Sequence, residues 1–207
     1  EYVGNVRAVN RVEVRARVVV NAAGPWVAEV QRQFLPAQRV PDVQLVQGAH
    51  IQVAGRLTQG AYYLEAPQDG RAVFVMPWYD RTLVGTTESV YTGDLALVQP
   101  LPGEIAYLQQ TLTHYFPRHP QAVVDSFAGL RVLPRGAGAV FHRPRETLLQ
   151  ADDPRRPGSI SIYGGKLTGY RATAERVLRL LQGTLPPSQP SAVSSSDVST
   201  MPPTPVT

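Results

Sequence analysis

A Gly-Gly-Lys sequence lies where a predicted strand becomes a predicted helix, and it offers chemistry for a negatively charged group. The segment reads SISIYGGKLTGYR from Ser159 to Arg171, and Lys166 is the only lysine of the 207 residues. Glycines ahead of a helix let a ligand approach the backbone, and the N–H groups and dipole of a helix N-terminus favour anions. The segment therefore suits an anion or a group that becomes negative during a reaction. An ordinary loop that uses glycine for its geometry is the alternative.

Other motifs for phosphate or metal binding do not occur in the sequence. The residues before Lys166 do not have the spacing G-x-x-x-x-G-K-[ST], and no G-x-G-x-x-G occurs. The four histidines are scattered and there is no cysteine, so we predict no metal site and exclude thiol catalysis and a disulfide framework. The net charge of +4 is carried almost wholly by arginine, which indicates either an anionic ligand or membrane surface as partner, or the base composition of the genome. Basic runs without interleaved aromatic residues argue against nucleic acid.

Hydrophobic patterning predicts a chain rich in strands. Alternating apolar and polar residues predict a hairpin over residues 3–20, followed by the NAAGPW turn and a short helix through Phe34. Further strands are predicted between residues 36 and 88, with a hairpin turn at Asp80-Arg81, and over residues 123–133 and 145–150.

Apolar residues three and four apart predict two longer helices. The first spans residues 103–116, and the second runs from Lys166 to Leu181. The second helix has a predicted apolar stripe of Leu167, Tyr170, Ala174, Val177, Leu178 and Leu181. After Gly183 a composition rich in proline and serine predicts a flexible tail, and the opening residues indicate that the chain begins inside a longer sequence.

Six segments together resemble the FAD-dependent glycerol-3-phosphate dehydrogenases, within the glycine-oxidase and D-amino-acid-oxidase type of flavoprotein. They are VVVNAAGPW, QGAHI, LVGTTESVYTGD, EIAYLQQTLTHYF, DSFAGLRVLP and SISIYGGKLTGYRATAE, in this order. The resemblance implies an α/β fold with an inserted antiparallel β-rich substrate domain. Residues 1–35 and 155–182 would form part of a Rossmann-like FAD domain, residues 36–154 the substrate domain and residues 183–207 the tail. The family's N-terminal glycine-rich fingerprint and its C-terminal helical domain are not in this sequence, so the chain resembles a central fragment.

The resemblance also implies which residues contact FAD. Asn21, Ala22, Ala23, Gly24 and Trp26 would lie beside one part of the cofactor, and Gly164, Gly165, Lys166, Leu167 and Thr168 would face its ring. The ring would take a hydride at N5, and the backbone N–H groups of Gly165 to Leu167 would stabilise the negative charge that it gains. Thr168 equally well caps the helix.

For the substrate, the resemblance implies glycerol 3-phosphate, oxidised to dihydroxyacetone phosphate. Arg131 and Arg145 would bind the phosphate with Lys166 nearby, and Arg143 competes with Arg145 because HRPRE places two arginines two residues apart. His50 would be the general base that removes the hydroxyl proton, so the candidate catalytic residues are His50, Arg131 and Lys166. Glu88, where the family commonly has aspartate, either binds substrate hydroxyls or stabilises a turn, and we favour the turn.

Two other functions stay open at this stage. A related flavin amine oxidase acting on glycine or sarcosine would keep the FAD half of the site but needs only one arginine for the carboxylate. A truncated chain without activity is the second alternative. The resemblance further implies that electrons pass to a quinone or another acceptor and that the protein is cytoplasmic. Peripheral attachment to the inner face of the cytoplasmic membrane and the oligomeric state are left open.

Overall fold

The computed structural model describes residues 13–135 and 146–186. The first strand of the predicted hairpin, Arg143, Arg145 and the tail from residue 187 onward lie outside the described residues. Within them, no helix is long and apolar enough to cross a membrane, and no group of histidine and carboxylate side chains is placed to hold a metal ion.

Nine strands and three α-helices form two sheets with helices packed on them, counting only the described residues. The strands are β1 (Val19–Asn21), β2 (Val43–Val53), β3 (Tyr62–Glu65), β4 (Ala72–Trp78), β5 (Arg81–Gly85), β6 (Ser89–Tyr91), β7 (Val123–Pro134), β8 (Thr147–Ala151) and β9 (Ser159–Gly164). The helices are α1 (Val27–Gln31), α2 (Pro102–Tyr115) and α3 (Tyr170–Leu181). This mixed architecture is the predicted α/β fold with an antiparallel β-rich part.

The smaller sheet has the strand order β1-β9-β8. β1 runs parallel to β9, so residues far apart in sequence share this sheet, and β8 pairs antiparallel with β9 on the other side. Helix α3 covers the sheet by packing Val177 and Leu181 against Ile160. β8 lies before residue 155, in the part of the chain assigned to the substrate domain, yet it shares this sheet with β1 and β9 of the predicted FAD domain. The division into domains stays a prediction.

The larger sheet is built around β2, which pairs with three other strands. β7 pairs with β2 from Val43 to Val53 along one edge. On the other edge, β5 pairs with residues 50–53 and β6 with residues 45–47. On this edge of β2, strand pairing is therefore interrupted between the end of β5 and the start of β6. Residues 86–88 connect the two strands and run beside β2 across this gap.

The two faces of the larger sheet have different surroundings. Ile51 and Val53 of β2 are buried against Leu108 and Leu112 of α2, which is the helix predicted over residues 103–116. Because side chains alternate along a strand, residues 46, 48 and 50 point to the opposite face. Directly opposed residues of antiparallel strands share a face, so Phe127 and Arg131 of β7, which oppose His50 and Val46, lie on that second face as well.

A buried carboxylate fastens α2 to the strands beneath it. Glu104, in the first turn of α2, accepts hydrogen bonds from the side chains of Thr87 and Ser89 at 2.7 and 2.9 Å and from the Gln47 amide at 2.6 Å. Burial raises the pKa of Glu104, but the Leu101 N–H and the three side-chain donors together hold that pKa below its usual value. The carboxylate therefore stays ionised, and the segment after β5 is fixed in place.

Two predicted helices begin or end elsewhere than expected. α1 ends at Gln31 rather than Phe34, and a 3-10 turn over Gly24–Trp26 precedes it. Lys166 does not open a helix. Its backbone is extended, at φ −116° and ψ 143°, a 3-10 turn follows over Leu167–Gly169, and α3 begins only at Tyr170.

The apolar stripe predicted for the second helix is also only partly correct. Val177 and Leu181 are buried, whereas Leu167, Tyr170 and Leu178 are exposed. A consequence is that only the C-terminal half of the stripe packs on the smaller sheet. The predicted hairpin between β4 and β5 is present, but its turn lies one residue earlier than Asp80-Arg81, since Trp78 pairs with Arg81 and the turn residues are Tyr79 and Asp80.

Candidate active site

The turn after β1 is held together by the side chain of Asn21. Its amide nitrogen donates to the Val27 carbonyl at 2.9 Å and lies 3.1 Å from the Ser161 hydroxyl, and its amide oxygen accepts from the Ala23 N–H at 3.3 Å. These bonds join β1, the turn and β9. Gly24 then adopts a φ of +55°, which glycine tolerates readily, and the chain enters α1. Ala22 and Trp26 are exposed beside this turn, whereas Ala23 is partly buried.

The end of β9 requires glycine for two separate reasons. Gly164 and Gly165 have φ values of +69° and +89°, which other residues rarely adopt. A Cβ atom at Gly164 would also lie 3.0 Å from the Glu146 carbonyl oxygen, and one at Gly165 would lie 2.5 Å from the Thr147 hydroxyl oxygen. The glycine pair therefore keeps the space around this turn free of side chains.

The residues after the glycine pair form an exposed turn. Lys166 and Thr168 are exposed, and the Leu167 side chain is 89% exposed. The N–H groups of Gly165 to Leu167 thus belong to an extended segment and a 3-10 turn, not to the first turn of an α-helix, and the dipole of α3 begins at Tyr170.

A cleft of about 160 Å³ lies between the turn after β1, the glycine pair at the end of β9 and the second half of β7. The lining residues are Gly24, Pro25, Leu130, Arg131, Val132, Leu133, Ile162, Gly164 and Gly165. The cleft therefore brings together the two turns expected to contact FAD and Arg131, which is expected to bind the substrate. Lys166, Leu167 and Thr168 lie outside its lining.

Arg131 is fixed on the open face of the larger sheet by two acceptors. One terminal guanidinium nitrogen donates to the Glu88 carboxylate at 2.7 Å, and the second terminal nitrogen donates to the Thr87 carbonyl at 3.2 Å. The guanidinium lies against β2 at Gly48, where a Cβ atom would be only 2.9 Å from it. Glu88 is therefore the ion-pair partner of Arg131, a role that the sequence did not suggest.

His50 lies two residues beyond Gly48 on the same face. Its ring stacks on Phe127 with the ring centres 5.0 Å apart, and it covers Gly85, where a Cβ atom would overlap the ring. Its Nδ1 atom is buried and has no hydrogen-bond partner among the described residues. Burial lowers the pKa of His50 below its ordinary value of 6.5, and the nearby Arg131 charge lowers it further. His50 is thus neutral at pH 7 and able to accept a proton.

The sequence pointed to Arg131 and His50 but not to the residues that hold them. The missed residues are Gly48, Gly85, Thr87 and Phe127, all within the quoted segments, and Glu88 was considered only for a turn or for substrate hydroxyls. One signal was available, because the Gly-Ala-His spacing places a glycine and the histidine on the same face of a strand. The other two candidate residues for the phosphate are not brought to this face by the described residues, since Arg145 is not described and Lys166 lies on the exposed turn.

We expect the ring protons of His50 to titrate below pH 6.5 in NMR spectra of the protein. Arg131→Ala should raise the His50 pKa without restoring it to 6.5, because burial is the larger cause and remains. As the pH falls, His50 of this variant would therefore become protonated at a higher pH than His50 of the wild-type protein. Arg135→Ala is the matched control, since Arg135 lies just past β7 and pairs with the exposed Asp42. An unchanged His50 pKa in Arg131→Ala, or equal shifts in both variants, would contradict this electrostatic coupling.

Comparison with known proteins agrees with this architecture. The chain is 38% identical over 176 residues to a glycerol-3-phosphate dehydrogenase of Pseudomonas aeruginosa, a match that covers 82% of this chain and 34% of the relative. The structure resembles the glycerol-3-phosphate dehydrogenase of Bacillus halodurans complexed with FAD, with a TM-score of 0.65, 32% identity and coverage of 80% of this chain and 32% of that one.

A more distant structure shares the fold alone. Glycine oxidase of Geobacillus kaustophilus has a TM-score of 0.54 and 18% identity, with coverage of 84% of this chain and 44% of that one. The chain spans about a third of the length of the curated relatives that it matches. The family model described as FAD dependent oxidoreductase matches residues 1–171. This chain therefore belongs to the FAD dependent oxidoreductase family.

Proposed function

We propose that the protein carrying this chain oxidises sn-glycerol 3-phosphate to dihydroxyacetone phosphate with FAD as the hydride acceptor. The observation that carries the proposal is the placement of Arg131 and a neutral His50 on one open sheet face, with Arg131 also lining the cleft beside Gly164 and Gly165. The relatives named glycerol-3-phosphate dehydrogenase support the choice of substrate.

The residues around the cleft fit a flat cofactor ring. Gly24, Gly164 and Gly165 line it, and Cβ atoms at the last two would meet neighbouring oxygen atoms at 3.0 Å or less. We propose that the turn of Asn21, Ala22, Ala23, Gly24 and Trp26 and the turn of Gly164, Gly165, Lys166, Leu167 and Thr168 hold FAD. Asn21 acts by holding its own turn, since its side chain bonds within the protein. When bound, FAD supplies the acceptor for the hydride from C2 of the substrate.

Arg131 supplies the positive charge for the substrate's phosphate. A guanidinium offers several donors in one plane, which suits a phosphate group with almost two negative charges. The backbone at Gly48 and the Glu88 carboxylate fix the plane of this group before substrate arrives. We propose that Arg145 completes the phosphate site, with Arg143 as the alternative, whereas Lys166 lies on the exposed turn outside the cleft lining.

His50 supplies the base for the substrate's hydroxyl proton. Its lowered pKa keeps it neutral at pH 7, and stacking on Phe127 fixes its ring plane. A neutral imidazole within reach of the hydroxyl accepts the proton while the hydride leaves C2, so an alcohol becomes a ketone. The cation of Arg131 beside it disfavours protonated histidine before substrate binds and thus keeps the base available.

We further propose how this chain serves the complete protein. Residues 1–35 and 155–182 contribute to the FAD domain, and residues 36–154 form the substrate domain. Electrons leave for a quinone or another acceptor, and the protein works in the cytoplasm. These parts follow from the resemblance of the sequence motifs.

A panel of substrates tests the function directly. The complete flavoprotein is mixed anaerobically with glycerol 3-phosphate, glycerol, glycine or sarcosine, and bleaching of the flavin absorbance is followed. Glycerol 3-phosphate should bleach the flavin at least 100-fold faster than the other three compounds, because only it carries the dianion that Arg131 binds. Faster bleaching by glycine or sarcosine would establish the amine oxidase instead, and no bleaching by any compound would contradict the proposal.

The glycine turn is tested by its cofactor content. Gly165→Val should yield protein with less than a tenth of the bound flavin, because valine is strained at a φ of +89° and would overlap the Thr147 hydroxyl. Gly169→Ala is the matched control, since a Cβ atom there has no heavy atom within 4 Å and Gly169 ends the same turn. Equal flavin absorbance in wild type and Gly165→Val would overturn the assignment of this turn to FAD.

A further inference from the structure

The segment that crosses the gap between β5 and β6 is fastened to β2 at Thr87. The Thr87 N–H donates to the Ala49 carbonyl at 3.3 Å, and the Ala49 N–H donates to the Thr87 hydroxyl at 2.9 Å. The same hydroxyl donates to the Glu104 carboxylate at 2.7 Å. Thr87 is therefore held from both β2 and α2, which fixes its carbonyl and the residue that follows it.

Glu88 is held by its backbone as well. The Arg71 guanidinium donates to the Glu88 carbonyl at 3.2 Å and is itself paired with Asp69 at 3.3 Å. The Glu88 side chain is only 8% exposed, so its carboxylate lies inside the protein at a fixed place. A buried carboxylate on such an anchored backbone has little freedom to move toward solvent.

The partner of this carboxylate is the arginine assigned to the substrate's phosphate. Glu88 and the Thr87 carbonyl together hold both terminal nitrogens of Arg131, at 2.7 and 3.2 Å. A charge-assisted hydrogen bond of this length is among the stronger ones in proteins, and two acceptors define the plane of a guanidinium. Without these two acceptors the long Arg131 side chain would be free to adopt other rotamers.

We propose that Glu88 is a positioning residue that holds the Arg131 guanidinium in place for a phosphate monoester. The inference rests on the proposed function and adds a residue to the same site. Glu88 acts through Arg131, and it opposes the phosphate electrostatically. Orientation and charge therefore predict opposite results for its removal: loss of orientation weakens phosphate binding, whereas loss of the negative charge alone would strengthen it.

The test measures binding of dihydroxyacetone phosphate, the product, to the complete oxidised flavoprotein by calorimetry, so that no turnover occurs. Glu88→Ala should raise the Kd at least 10-fold, and Glu88→Gln should have an intermediate effect because an amide forms a weaker bond to arginine. In an Arg131→Ala background, Glu88→Ala should cause no further weakening. In turnover of glycerol 3-phosphate, KM should rise with the Kd while kcat changes much less.

Asp42→Asn is the matched control, because Asp42 pairs with Arg135 at 2.9 Å in an exposed position just past β7. It should leave the Kd unchanged, and all variants should retain wild-type flavin content. Two results would overturn the inference: product binding by Glu88→Ala that is as tight as in wild type or tighter, or equal weakening with and without Arg131. A wild-type protein that binds no product contradicts the proposed function itself, and with it the site that Glu88 is inferred to serve.

Discussion

The antiparallel pairing of β2 with β7 is the constraint on which the site depends. This register sets Arg131 opposite Val46 and Phe127 opposite His50, so the cation and the imidazole share one face. A shift of β7 by one residue along β2 would turn Arg131 and Phe127 to the face that α2 covers and leave His50 on the opposite face. The packing of α2 on one face therefore decides which side chains the other face presents.

Glycines, which have no side chain, determine the shape of the site as much as the functional groups do. Gly48 lets the Arg131 guanidinium lie on the backbone of β2, and Gly85 leaves room for the His50 ring. At the cleft, Gly164 and Gly165 combine a left-handed backbone with close neighbouring oxygen atoms. Glycine in the interior of a strand weakens it, so its repeated use here is consistent with close approach of functional groups and a ligand.

The sequence predicted the parts of the fold that depend on local pattern. The strands between residues 36 and 88, the helix over residues 103–116 and the hairpin turn that includes Asp80 all follow from alternation, spacing and turn residues. Lys166 was wrongly expected to open a helix, because two consecutive glycines with positive φ and an extended lysine delay α3 until Tyr170. Apolar spacing alone does not reveal where such a delay occurs.

Contacts between distant residues could not be predicted in the same way. Glu88 and Arg131 are 43 positions apart, and they meet only because residues 86–88 fill the gap between two strands that pair with one edge of β2. A turn was the better interpretation of Glu88 from its neighbours in sequence. The ion pair depends on strand order, which the sequence pattern leaves undetermined.

Gly48→Ala tests most directly whether this sheet face binds the phosphate. The added methyl would lie 2.5 Å from the Thr86 hydroxyl and 2.9 Å from the Arg131 guanidinium, so it displaces the arginine. Gly129→Ala is the cross-strand control, because Gly129 is paired with Gly48 and a Cβ atom there has no heavy atom within 4 Å. We predict that KM for glycerol 3-phosphate in the complete flavoprotein rises at least 10-fold in Gly48→Ala and stays within twofold in Gly129→Ala. Equal KM values in the two variants would contradict it.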